Sequence, residues 1–405
     1  MSTAGAGGRR GSETRAYLDH ASASPLRPSA RDAMLEWLDS ADPGRVHTEG
    51  RMARFALEDA RDGVASLLGT RPRQVIFTSG ATEAINAAVF GAAARHAPGS
   101  MRIVLAAVEH SAVRDASERH AGELTWAGVD RTGLIDLDQI RWAVAGAPGP
   151  VMVHCQLANH EVGTVQPVAE VASICREHGA MLHVDAAAGA GHVEIAFDDL
   201  GADFLSVSSA KIGGPRGAGA LLVRRGLRVD PFIVGGMQER ARRGGLENVP
   251  AAVGFGAAAA ELASPGTLAG EADAESSLIS QLREASLRID GVEAFGPADP
   301  SLRLPSLLCL GLAGVEAEPV LIGLDQAGIA AHSGSSCSSE SLEPSPVLEA
   351  MGVDAERSLR FSVGWSSRQS DIDRAATALP EVVARLRALA GGPGGPSRVE
   401  KVNRG

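Results

Sequence analysis

Lysine is almost absent from this sequence. Of 405 residues, 38 are basic, and only Lys211 and Lys401 among them are lysines; the other 36 are arginines. Arginine serves surface charge and carboxylate clamps, but it does not lose its proton to become a nucleophilic amine. Lys401 lies in a Gly/Pro-rich end, so Lys211 is the one amine nucleophile available to the body of the protein. Cysteine is scarce too. Four cysteines without paired spacing exclude a disulfide framework and predict a reducing, cytoplasmic setting. No apolar run approaches the roughly 20 residues of a membrane-spanning helix. The first residues carry arginines but no apolar stretch of the kind a secretory signal needs. A net charge of −11 argues against nucleic acid as a direct ligand. There is no internal repeat.

What remains is the composition of a soluble globular protein, 44% hydrophobic and 21% charged, long enough for one large domain or two. Residues 1–16 and 391–405, rich in Gly, Ser, Pro and Arg, read as disordered tails. Between them, short apolar runs such as Val75-Ile76-Phe77, Val151-Met152-Val153 and Phe204-Leu205-Ser206 end in small or polar residues and alternate with helical periodicity. That pattern predicts an α/β fold with a mostly parallel sheet covered on both faces. After about residue 265 the pattern changes. A helical face of Leu278, Leu282, Ala285 and Ile289 precedes a strand, a Ser/Gly loop and a closing helix through Leu379, Val382, Val383, Leu386 and Leu389. The predicted division is a large domain over 17–265, whose first residues join the smaller α+β domain of 266–390.

Ligands of open parallel sheets bind beyond the carboxyl ends of the strands. Thr78-Ser79-Gly80-Ala81-Thr82-Glu83 joins a strand to an Ala-rich helix whose first N–H groups can hold a phosphate, or which is simply a capped turn. His110 and Asp185 each end an apolar run; a lone His in that place is more often structural than catalytic, and Asp185 suits an N-cap. Asp185 is also the carboxylate type that keeps a pyridine nitrogen protonated. Lys211, just past the run ending Ser206-Val207-Ser208, has small neighbours that permit close approach of a cofactor, and is a Schiff-base lysine by type. Cys155, Cys175 and Cys309 sit in apolar patterns and read as core. Cys337 stands instead in Ser335-Ser336-Cys337-Ser338-Ser339, either an inconsequential loop thiol or a thiolate nucleophile. Arg360 is a carboxylate clamp or an ion-pair partner.

Taken in this order, these residues resemble the pyridoxal-phosphate (PLP) dependent cysteine desulfurases of the class V aminotransferase group. Further motifs carry the resemblance over nearly the whole chain: Tyr17-Leu18-Asp19-His20-Ala21, Asn159 with Glu161 and Gly163, His183-Val184-Asp185-Ala186, Gln238-Glu239-Arg240, Glu247-Asn248-Val249-Pro250 and Arg360-Phe361-Ser362. The Cys337 loop is similar to that of the long-loop, NifS/IscS-like branch. The resemblance implies a PLP-dependent transferase of fold type I, with a seven-stranded sheet, acting as a homodimer. It implies that Lys211 holds PLP as a Schiff base, Asp185 pairs with the ring nitrogen, and His110 stacks on the ring and serves acid/base steps. Ala81, Thr82 and Ser208 would hold the phosphate, Asn159 would contact cofactor or substrate, and Arg360 would bind the carboxylate of L-cysteine. Cys337 would take the sulfur as a persulfide, release L-alanine and pass the sulfur to an acceptor protein. No metal is implied.

Three positions depart from the family. Ala188 stands where a Gln donates to the cofactor's phenolic oxygen, Ala210 where a His contacts the phosphate, and Leu246 where a Thr reaches the partner subunit's phosphate. Each lost hydrogen bond to a charged group is worth about 1.5–3 kcal/mol. These departures keep two other readings open: a class V enzyme of changed chemistry (C–S lyase, aminotransferase or epimerase), and a non-catalytic partner subunit.

Overall fold

The computed structural model describes residues 15–333 and 344–390. The expected disordered ends lie outside these, apart from Arg15 and Ala16, and so does Cys337 with its loop. Thirteen strands are present among the described residues: β1 (Ala16–Tyr17), β2 (Val75–Thr78), β3 (Arg102–Ala106), β4 (Glu123–Ala127), β5 (Val151–Gln156), β6 (Met181–Asp185), β7 (Phe204–Ser208), β8 (Gly219–Val223), β9 (Val292–Phe295), β10 (Leu307–Leu312), β11 (Ile329–Ala330), β12 (His332–Ser333) and β13 (Ser358–Ser362). β1 begins at Ala16, the last residue assigned to the tail from sequence.

The central sheet has seven strands in the order β2-β8-β7-β6-β5-β3-β4. All neighbours are parallel except β8, which runs antiparallel to both β2 and β7. Every residue of β5 is buried, as expected of a strand with helices over both faces. One face packs a core containing Val153, Val184 and Phe255; the other packs Ile103, Met152 and Phe204 against the helix Ala81–Ala93. The chain passes from β3 out to β4 and returns to β5 on the opposite side of β3, so the strand order reverses there. A crevice at the carboxyl ends of the strands follows from that reversal.

The smaller C-terminal part has an antiparallel sheet, β12-β13-β10-β9, under the helices Thr267–Ser286 and Gln369–Ala390. Leu278, Leu282, Leu310, Phe361 and Leu379 form its core, and Ala16 and Leu18 are buried in it. β1 pairs in parallel with β11, which ties residues 16–18 to this distant part of the chain.

Candidate active site

A cavity of about 410 Å³ opens at the carboxyl edge of the central sheet. It is lined by residues at or just beyond the ends of β2, β3, β5, β6 and β7, and most of the sequence-predicted residues meet here.

β2 runs into Ser79-Gly80 and the helix Ala81–Ala93, whose N-cap, Gly80, makes no side-chain cap. The Ser79 N–H is taken by the Glu83 carboxylate (2.9 Å), which Arg243 in turn grips at 2.9 and 3.2 Å. The helix start at Ala81 and Thr82 is thereby fixed, and both residues line the cavity; the first N–H groups of a helix have no partner within it. The close approach of this turn to β8 needs a residue without Cβ: a Cβ at Gly219 would lie 2.7 Å from the Gly80 backbone.

Asp185 closes β6. It is 7% exposed, lines the cavity, and its Oδ1 accepts from the Ala187 N–H at 2.9 Å. Ser208 closes β7, and a 3₁₀ turn over Ser209–Lys211 brings the lysine onto the same wall. The Lys211 ammonium donates to the carbonyl oxygens of Ala21 and Ser22, the latter at 2.8 Å.

His110 caps the helix Ser111–His120. Its Nδ1 accepts the Ala112 N–H at 3.0 Å, and its ring lies on the cavity wall. A structural role, as helix cap, and a place on the cavity wall coexist in one side chain. Asn159 lies elsewhere. It is fully buried and closes its own turn, Oδ1 accepting from the Glu161 and Val162 N–H groups (2.8 and 2.9 Å) and Nδ2 donating to the Val108 carbonyl (3.3 Å). Asn159 is not among the residues lining the cavity; its neighbours Ala158 and His160 are. The His160 ring meets His110 edge-on, centroids 5.1 Å apart at 67°, and its Nε2 is 3.4 Å from Glu161 Oε1.

Beneath this wall lies Glu109, fully buried, with Oε1 accepting from the Gln156 N–H at 2.7 Å and Oε2 unpartnered. Burial first, then the Asp185 charge, pushes its carboxyl up to about 8. The side chain is therefore largely protonated at neutral pH.

Arg360, on β13, closes the cavity from the smaller part of the molecule. Its side chain is 4% exposed and already engaged: Nη2 donates to Asp19 Oδ1 (3.0 Å) and Ser22 Oγ (2.8 Å), and Nη1 to the His160 carbonyl (2.9 Å). Nε is buried without a partner. Cross-strand from it, His332 also lines the cavity.

Ala188 and Ala210 are on the cavity wall, so two side chains that could donate there are methyl groups. Leu246 stands apart, 64% exposed, beside a separate cavity of about 200 Å³. His160 and His332 were missed from sequence. The signal was present in Asn159-His160-Glu161 and His332-Ser333, where a ring of acid/base type adjoined residues already singled out. The three core cysteines are buried; burial pushes the Cys175 and Cys309 thiols up to about 12, which leaves them unreactive.

A lysine, a buried carboxylate and a helix start thus share one cavity at the carboxyl edge of the sheet, where ligands of such sheets bind. The chain belongs to the class V aminotransferase family, whose sequence pattern matches residues 16–375. It is 36% identical over 386 residues to the cysteine desulfurase IscS of Dictyoglomus turgidum, covering 92% of this chain and 95% of that one. It is 39% identical over 399 residues to an IscS-like cysteine desulfurase of Mycobacterium tuberculosis, covering 95% and 100%. Among solved structures, a NifS-like protein from Rickettsia africae superposes with a TM-score of 0.83 at 28% identity, covering 91% of this chain and 99% of that one. Among the described residues no helix is long and apolar enough to cross a membrane, and no cluster of His, Cys, Asp and Glu could hold a metal ion.

Proposed function

We propose that this chain is a PLP-dependent cysteine desulfurase that converts L-cysteine to L-alanine and leaves the sulfur as a persulfide on Cys337. The observation that carries this reading is the convergence of Lys211, Asp185, His110 and the Gly80–Thr82 helix start on one cavity. The donor set fits the cofactor. The helix start supplies N–H groups for a phosphate, Asp185 a buried carboxylate for a ring nitrogen, and Lys211 an amine for an aldehyde. When bound, PLP supplies an electron sink for negative charge developing on the substrate.

The protein's own groups do the rest. Arg360 orients the substrate carboxylate, sharing its guanidinium with Asp19 and Ser22. Lys211 releases the Ala21 and Ser22 carbonyls to act on cofactor and substrate. The net chemistry balances: the substrate thiol sulfur leaves carbon for the Cys337 sulfur, and a proton takes its place on carbon to give alanine. The acceptor of that sulfur is a partner protein. Exposed Phe55, Met237 and Leu246, on and beside the helix Thr48–Leu67, support a homodimer through this face. The separate cores support domains over 17–265 and 266–390, with residues 16–18 joining the second.

Alanine and sulfide release from cysteine by the PLP-loaded protein, under a reductant, tests the assignment. Cys337→Ala should abolish both products, and Lys211→Ala should remove the visible cofactor band. Turnover undiminished in Cys337→Ala would overturn the nucleophile. Ala188 and Ala210 favour a second reading, a class V enzyme of changed chemistry. That reading predicts the band without cysteine-dependent alanine.

A further inference from the structure

We propose that the seam between the larger and smaller parts of the molecule holds a binding site for a phosphate-type dianion, gripped by Arg283 and Arg303. This site is separate from the cavity described above, and it stands whether or not the chain turns over cysteine.

A pocket of about 70 Å³ lies between the helix Thr267–Ser286, the strands β9 and β10, and the segment 300–305 that connects those strands. Its apolar walls come from both cores. Leu304 and Leu307 belong to that of the central sheet, Ile279 and Leu308 to that of the smaller part. Arg283 and Arg303 line the same pocket, and Arg283 Nη1 is buried with no hydrogen-bond partner. Among the described residues, neither guanidinium forms an ion pair or a hydrogen bond. Arg61, Arg243 and Arg360, by contrast, each meet a carboxylate. Asp299 is the carboxylate whose charge Arg303 feels, but its Oδ1 accepts from the Ser301 N–H and hydroxyl at 2.9 and 2.8 Å. Burial, then the Arg283 charge, lowers Arg303 from the ordinary arginine value, so the two cations repel one another.

The chemistry of the pocket selects its ligand. A dianion balances both charges where a carboxylate balances one, and a guanidinium bonds the oxygens of such a group two at a time. Ser276 and Ser280 share the helix face of Arg283, at i−7 and i−3, and add hydroxyl donors on the exposed side. A single water needs roughly 10–15 Å³ of such space, so about five non-hydrogen atoms fit, the size of phosphate or sulfate.

The site also has a mechanical connection. Arg303 sits in a short antiparallel pairing with Thr164: the Leu304 N–H donates to the Gly163 carbonyl at 2.7 Å, and the Val165 N–H to the Leu302 carbonyl at 2.9 Å. The Thr164 carbonyl in turn accepts the Asn159 N–H at 2.8 Å. An anion bonded to both arginines fastens the helix Thr267–Ser286 to this pairing, and through it to the turn that carries His160.

The test is calorimetric titration of the PLP-loaded full chain, freed of unbound PLP and held in phosphate-free buffer, with inorganic phosphate, sulfate, glycerol phosphate and acetate. Phosphate and sulfate should bind, and acetate at least about tenfold more weakly. Arg283→Gln and Arg303→Gln should each weaken phosphate binding about tenfold or more and remove the rise in denaturation midpoint that phosphate gives the wild type. Amide exchange at 163–165 and 302–304 should slow with phosphate in the wild type alone. Binding of glycerol phosphate as tight as that of phosphate would support the site and identify a phosphate ester as its ligand; binding of the free ions alone would support it as a site for inorganic anions. Ser280→Asp, which sets a carboxylate beside the guanidiniums, should abolish phosphate binding and raise the midpoint in its absence, and it decides the matter where the arginine variants do not fold. No binding at millimolar phosphate, acetate binding equal to phosphate, or undiminished affinity in the arginine variants or in Ser280→Asp would overturn the proposal.

Discussion

Arg61 and Glu239 form a two-point ion pair, at 2.6 and 2.8 Å, with side chains only 1% and 2% exposed. The pair is tied in on every side. Arg61 also donates to the Val75 carbonyl and lies over the Phe77 ring, and Glu239 also accepts the Phe77 N–H. It therefore joins the helix Thr48–Leu67, β2 and the segment 238–241. Removing Glu239 leaves the buried Arg61 guanidinium only its longer contacts to Glu58, at 3.3 and 3.4 Å, so Glu239→Ala should cost about 3 kcal/mol. Chemical denaturation would measure it, and a loss under about 1 kcal/mol would contradict the role given to the pair.

The backbone beside that pair is strained. Glu239, Arg240 and Ala241 have φ of 47°, 60° and 61°, three successive non-glycine residues in the left-handed region. Each costs roughly 1–2 kcal/mol there. Of the three, Ala241 is the clean site to relax, since it has no side-chain bonds to lose. Ala241→Gly should stabilise the protein by about 0.5–1 kcal/mol after the entropy of the unfolded glycine is counted. A lower denaturation midpoint in this variant would argue against strain at this position.

Glu109 makes stability depend on pH. Burial, then the Asp185 charge, raises its carboxyl from the ordinary range to about 8 in the folded protein. The stability it contributes is present in full below about pH 4.5 and is lost progressively as pH rises towards 8, because the unfolded chain ionises this group first. A tenfold change in proton affinity is worth about 1.4 kcal/mol, so the loss amounts to a few kcal/mol. Glu109→Gln should remove this slope and be the more stable protein at pH 8. Parallel stability curves for the two proteins between pH 5 and pH 8 would refute the assignment.

Arg360 is held by acceptors that fit a fork. Asp19, Ser22 and the His160 carbonyl all bond its two terminal nitrogens. Lysine carries the charge without the planar geometry. Arg360→Lys should raise KM for the amino acid about tenfold or more, with a smaller effect on kcat. An unchanged KM would remove Arg360 from the substrate site.

The sheet was legible because parallel strands buried on both faces become continuous apolar runs, and their ends then fall on one edge by construction. That is why Thr82, His110, Asp185, Ser208 and Lys211 reach one cavity. What was not legible depends on loops and on distance. Whether Asn159 or His160 faces the cavity is a matter of one residue, decided by an Asx turn that Asn159 closes with its own side chain. No periodicity records that. The Arg360–Asp19 contact joins positions 341 residues apart, and the left-handed run at 239–241 has no glycine to announce it.

The parallel pairing of residues 16 and 17 with β11 has a consequence for the order in which the molecule can be assembled. Ala16 and Leu18 are among the first described residues to be synthesised, yet they are buried against Phe361 and Leu379, among the last. The smaller core cannot close until synthesis has passed its final helix, and residues 266–390 expressed alone would lack a wall. Asp19 reaches Arg360 only through the same closure. A nascent chain can thus hold a complete central sheet and still have no means of gripping a substrate.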